Sequence, residues 1–223
     1  MFIPLKDLNP RRTFPFVNTT LILINIAVFV YELTLRPKAL SAFISAYATF
    51  PSHIASFLAG HASAQTALEP LITSLFLHGG PLHIAGNMLF LWIFGDNVED
   101  FFGHIPYLFF YLVCGVGSGL FHVLFNLSST VPALGASGAI SGVMGAYIVL
   151  FPRARILTLV FIFLLPIPAV VVLGVWFVLQ FFAGVSSLGT AVTGGVAVWA
   201  HVGGFLIGMA ITWVLKGEGR RSQ

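Results

Sequence analysis

Charge is what this chain has least of. Lys and Arg together number 10 and Asp and Glu 7 in 223 residues, too few to cover the surface of a water-soluble domain. Cysteine is nearly absent as well: a single Cys114 excludes an intramolecular disulfide and a cysteine-based metal site. No fixed-period repeat is visible. The first apolar run is not followed by a small-residue cleavage site but by Glu32, Leu33 and Arg36, so it reads as a spanning helix and not as a signal peptide. The net charge of +3 comes from a few basic residues at the ends of apolar runs, which leaves a nucleic-acid partner without support.

What fills the chain is apolar side chain, 58% of all residues. A membrane-spanning helix needs about 20 mostly apolar residues. Thr13–Tyr31 fits one crossing, Leu82–Gly95 a shorter one, Ile105–Pro152 two, and Ile156–Leu215 two more. With six crossings, Lys6, Arg11, Arg12, Arg153, Arg155, Lys216, Arg220 and Arg221 all fall on one side, and only Arg36 and Lys38 on the other. Positive charge marks the cytoplasmic face, so both termini are expected there. The fold expected is an all-α membrane protein, a six-transmembrane-helix bundle. It forms one domain over 1–223, with short tails at about 1–12 and 216–223, and sits as a multi-pass protein in a prokaryotic cell (inner) membrane.

Between the first two crossings lies a long outer loop, Thr34–Pro81, whose mixed apolar spacing predicts short helices on the membrane surface, broken near Pro51, Gly60 and Pro70. Ile156–Leu165 reads as interfacial or as the start of the fifth helix, kinked by Pro166 and Pro168, and Gly184–Gly195 as a flexible outer cap.

Polar groups in hydrocarbon are costly, so each is a functional candidate. Ser137 opens a predicted helix over Ser137–Leu150 that is too short to span unless it begins below the membrane surface. Gly138, Gly142 and Ala146 give that helix a smooth face. Ala200, Gly204 and Gly208 do the same for the sixth, which carries His201 at the same depth as Ser137. His83 and Asn87, four apart, share one face of the second helix. A serine needs a base to become a nucleophile, and histidine is the usual one. No lysine or carboxylate falls within the fourth to sixth crossings, so the residues point to a Ser-His dyad whose imidazole is oriented by packing and backbone. The unpaired Ser137 amide, with His83 and Asn87, could serve a developing oxyanion.

Other readings stand beside this one. Ser137 could be a packing residue, as Ser118 and Ser141 are read to be, and His122 a satisfied histidine. His78 and His83 lack the spacing of a helical zinc site, so no metal and no cofactor is expected. A transporter would show paired charges at mid-depth or an inverted repeat, and neither is apparent.

Three segments, taken together, resemble the signatures of the rhomboid family of intramembrane serine proteases: His78-x4-His83-x3-Asn87, Gly135-Ala136-Ser137-Gly138, and Ala200-His201-Val202-Gly203-Gly204. The likeness runs from roughly Ile72 to Ala210. It implies that Ser137 is the nucleophile, His201 the base, and His83 and Asn87 oxyanion-hole donors with the Ser137 amide. His78 resembles the family's structural histidine, and Glu99-x3-Gly103 its anchor after the second helix. Gly135 and Gly138 would leave room around the nucleophile. The partners implied are transmembrane protein substrates, admitted past the fifth helix, and membrane lipid. Where some members have a Trp-Arg pair in the outer loop this chain has Glu69-Pro70, and where some have a Tyr stacked on the base it has Ser141.

Overall fold

The computed structural model describes residues 2–187 and 197–221. A strand, β1 (Phe2–Asp7), precedes the first long helix, α1 (Phe16–Thr34). The outer loop folds into α2 (Pro37–Tyr47), α3 (Pro51–Leu58), α4 (Ala64–Leu68) and α5 (Pro70–Thr73), which runs into a 3-10 turn at Ser74–Phe76. Then come α6 (Pro81–Phe102), α7 (His104–Phe125), α8 (Ser137–Leu150), β2 (Arg155–Val160), β3 (Phe163–Pro168), α9 (Ala169–Ser187) and α10 (Val198–Arg221). Proline opens α2, α3, α5 and α6, at a position where its missing N–H has no helical partner to lose. Of the expected cap, the first residues, through Ser187, belong to α9, and 188–195 lies outside the described residues.

Among the described residues, four helices are long and apolar enough to cross a membrane: α1, α7, α9, and Val198–Gly217 of α10. With 14 residues, α8 is about 21 Å long at 1.5 Å per residue, short of a hydrocarbon core of roughly 30 Å. Nearly all of it is buried, from Gly138 to Tyr147, because α6, α7, α9 and α10 all pack against it. Leu91, Phe94, Tyr107, Tyr111 and Phe205 share one buried cluster with its own Val143 and Met144. A smaller cluster of Ile54, Ala67, Leu71 and Val123 holds the loop helices against the outer end of α7.

Two expectations need correction. The chain is mostly helical but not all-α: β1, β2 and β3 form a three-stranded antiparallel sheet in that order, with Phe2 opposite Val160 and Arg155 opposite Pro168. The Ile156–Leu165 stretch is thus a hairpin. Ile156 and Thr158 are buried while their neighbours are not, a period of two, and Pro4, Pro166 and Pro168 sit on the outer strands, where a missing N–H leaves no ladder bond unmade. The sheet lies beside the carboxyl end of α8, where Tyr147 Oη donates to Asp7 Oδ2 at 2.9 Å. Burial pushes the Asp7 carboxyl up to about 6, against the pull of that hydrogen bond.

The second concerns α6, in which the crossing expected over Leu82–Gly95 is only part of a helix that runs on to Phe102, with Glu99 and Asp100 near its end. Glu99 is 1% exposed and accepts the otherwise unpaired amides of Val17 (3.0 Å) and Asn18 (2.7 Å) at the start of α1, together with His104 Nδ1 at 2.5 Å. Asp100 accepts the Arg12 and Thr13 amides in the same way. Gly103, at φ +80°, then turns the chain directly into α7, in a conformation that a residue with a Cβ rarely adopts.

Candidate active site

Glycine sets the distance between α8 and α10. A Cβ built on Gly204 would lie 2.1 Å from the Gly138 carbonyl oxygen, one on Gly208 would lie 2.0 Å from that of Gly142, and one on Gly145 would lie 2.1 Å from that of Phe205. Backbone therefore meets backbone along the whole seam. Apolar side chains gain little by leaving lipid, and such close packing supplies the helix attraction instead. The seam brings the first residue of α8 beside the first turn of α10, and Ser137 Oγ lies 2.7 Å from His201 Nε2. His201 is buried, 6% exposed, while Ser137 remains partly open.

The other side of Ser137 is built by the outer loop and α6. Gly135 takes φ +118°, and its N–H donates to the Ser74 carbonyl at 2.8 Å, which ties the approach to α8 onto the 3-10 turn. A side chain at Gly135 would meet His83 Nε2 at 2.7 Å and Asn87 Nδ2 at 3.5 Å. Those two nitrogens thus converge on the backbone two residues before Ser137. The Gly79 amide donates to His83 Nδ1 at 3.3 Å, which leaves the proton of a neutral ring on Nε2, facing this space. Asn87 Nδ2 donates to His78 Nε2 at 3.0 Å. Burial, with the adjacent His83 adding to it, holds His78 down to about 4, so its ring stays neutral and able to accept. The Ser137 amide, at the helix start, has no partner within its own helix.

Several contributors were not legible beforehand. Gln180 of α9 places Oε1 3.1 Å from His201 Nδ1, so a neutral side chain reaches the imidazole, which was expected to be oriented by packing and backbone alone. Trp176, one turn earlier, sets its ring 5.9 Å from that of His201. Glu32, near the outer end of α1, is buried and accepts the His78 amide at 3.3 and 3.4 Å, fixing the loop that leads into α6. Ser118 Oγ bonds the Gly115 carbonyl and packs on Gly138, and Ser141 Oγ bonds the Ser137 carbonyl at 2.6 Å. Among the described residues, no group of three or more His, Cys, Asp or Glu is arranged to hold a metal ion.

The chain is similar to known proteins. The Rhomboid domain model matches residues 65–218. Rhomboid protein 1, mitochondrial, of Saccharomyces cerevisiae is 34% identical over 158 residues, 68% of this chain and 43% of that protein. RHOMBOID-like protein 12, mitochondrial, of Arabidopsis thaliana is 31% identical over 169 residues, 69% of this chain and 48% of that protein. Rhomboid protease GluP of Bacillus subtilis is 39% identical over 89 residues, 39% of this chain and 17% of that protein. The chain spans about half the length, or less, of these relatives. With mitochondrial proteins among them, the comparisons do not support the prokaryotic inner membrane expected from the sequence. The domain match takes in more than half of the chain and every residue from His78 to His201, and the chain belongs to the rhomboid family.

Proposed function

We propose that this protein is an intramembrane serine endopeptidase that cleaves transmembrane segments of other membrane proteins through a Ser137-His201 dyad. The observation that carries this reading is the 2.7 Å contact between Ser137 Oγ and His201 Nε2. In this reading the chain is a single rhomboid-type domain crossing the membrane six times. The amphiphilic α6 and the short α8 pass among the four long apolar helices, and both termini lie on the cytoplasmic side with the sheet. Substrate and lipid are its only expected partners, and neither metal nor cofactor takes part.

The chemistry follows from the atoms. His201 Nε2 takes the Ser137 hydroxyl proton as Oγ attacks the scissile carbonyl carbon. The negative charge that develops on the carbonyl oxygen is met by the Ser137 amide, His83 Nε2–H and Asn87 Nδ2–H. Collapse breaks the C–N bond and the leaving amine takes the proton from His201, which leaves an acyl-Ser137 ester. Water, deprotonated by the same imidazole, then hydrolyses that ester. His78 would keep Asn87 aimed, and Glu32 would keep His78 in place.

A fluorophosphonate probe tests the reading directly. The purified protein in detergent is expected to become labelled and to cleave a model transmembrane substrate. Ser137→Ala is expected to lose all labelling, and cleavage should fall by on the order of 10⁴- to 10⁶-fold. Undiminished labelling of that variant would remove the nucleophile assignment, and loss of wild-type cleavage on adding a strong chelator would reopen a metal mechanism.

A further inference from the structure

A carboxamide is out of place on α9. From Ala169 to Ser187 that helix is otherwise apolar apart from Ser186 and Ser187, whose hydroxyls bond carbonyls of their own helix at 2.8 and 2.7 Å. A polar amide in such a segment is expensive unless it finds a partner on a neighbouring helix. Gln180 finds His201 Nδ1 at 3.1 Å. Its Oε1 can only accept, so Nδ1 must carry the imidazole proton and donate it. In a neutral ring that leaves Nε2 bare, turned toward Ser137 at 2.7 Å, which is the tautomer a general base needs.

Trp176 lies four residues before Gln180, on the same face of α9. Its ring flanks the imidazole at 5.9 Å and also contacts Phe205, with centroids 6.0 Å apart. The position where some family members carry an aromatic beside the base holds Ser141 here, and Ser141 turns its hydroxyl back onto the Ser137 carbonyl. The wall against His201 thus comes from α9 and not from α8.

We infer that Gln180 is the positioning residue for the His201 base, accepting Nδ1–H through its carboxamide and thereby fixing tautomer and ring plane, with Trp176 as the side wall. This rests on the protease reading above. A neutral acceptor does what a third acidic member would do in a triad, without bringing a buried negative charge into the membrane. Because both groups sit on α9, the base is set correctly only while α9 lies against α10.

The test compares Gln180→Leu and Gln180→Glu with the wild type, using a transmembrane substrate in detergent and recording thermal midpoints for each. Gln180→Leu is expected to lower kcat about 10- to 100-fold with little change in KM. Its thermal midpoint should fall by a few degrees at most, since the polar group that leaves the apolar helix also takes away the acceptor of the buried His201 Nδ1–H. The acid limb of its kcat/KM profile should move to lower pH, because the imidazolium has lost an acceptor. Gln180→Glu keeps an acceptor oxygen and is expected to recover most of the rate, with the acid limb moved to higher pH. Wild-type kcat and an unshifted acid limb in Gln180→Leu would overturn the assignment, and so would a fall in rate that follows a fall in thermal midpoint and is not recovered by Glu. Ser137→Ala run in parallel separates the two levels: if it is inactive while Gln180→Leu is fully active, only the role of Gln180 fails, and if it still cleaves, the protease reading fails.

Discussion

Helix α10 meets α8 and α9 in two different ways. Toward α8 the contact is backbone on backbone, three glycines wide, with carbonyl oxygens where side chains would otherwise be. Toward α9 it is made by side chains, Gln180 and Trp176 against His201 and Phe177 stacked on Phe205 at 4.8 Å. Exposure differs in parallel, since 22% of the apolar stretch of α9 is buried against 50% of that of α10. The comparison separates two tasks that are easily merged. Where the serine and the histidine stand is settled by a seam that cannot slide, and how the histidine ring is turned is settled by a helix embedded far more lightly.

The most severe way to break this comparison is to put a methyl group into the seam. Gly204→Ala places a Cβ 2.1 Å from the Gly138 carbonyl oxygen, which is backbone and cannot swing aside. The expected outcome is a loss of about 1–3 kcal/mol of stability together with near-complete loss of cleavage, read from thermal unfolding in detergent and from substrate turnover. A variant that kept full activity would show that the seam can open without displacing Ser137.

A smaller effect should come from the other end of α8, where the tie to the sheet can titrate and the glycine contacts cannot. The Asp7 carboxyl is held at about 6, above its ordinary value of 3.8, so the folded state binds the proton more tightly than the unfolded one. Its contribution to stability is therefore full below about pH 4 and is lost as pH rises through about 6. Thermal midpoints recorded from pH 4 to 7 should fall across that window by a few degrees at most, and Asp7→Asn, which keeps an acceptor for Tyr147, should flatten this part of the curve.

The smallest expected effect sharpens the contrast most cleanly. Gly174→Ala is the same chemical change as Gly204→Ala but on α9, where a Cβ meets nothing within 4 Å. Unfolding and turnover should both match the wild type within error, with any gain coming from helix propensity. A loss comparable to that of Gly204→Ala would mean that α9 is packed as tightly as α8.

Much of this was legible in the sequence. The four-residue spacing of Gly138, Gly142 and Ala146 and of Ala200, Gly204 and Gly208 announces helices that approach closely, and the absence of charge announces the membrane. Proline marks the starts of the loop helices because its ring fits the first turn and nowhere later. The parts that stayed hidden share a physical cause. Gln180 has no motif, since its meaning depends on a histidine in another helix, and one amide in an apolar run has no periodicity to detect. Glu99 could be named an anchor only through the family resemblance, because the amides it accepts belong to Val17 and Asn18 of a helix more than 80 residues earlier. The hairpin was masked by Pro166 and Pro168, which argue against a strand unless it is known to be an outer one.

The pairing of β1 with β2 also says something about time. Phe2 has no partner until Val160 exists, so the first strand to be made is among the last to be satisfied. By then α1, α6, α7 and α8 have all been synthesised and can pack, and closing the sheet after them joins the start of the chain to the end of the serine helix through Asp7 and Tyr147. Contacts so distant in sequence form slowly and late. The sheet is thus a clasp on the bundle that cannot close before the serine helix and β2 have been made.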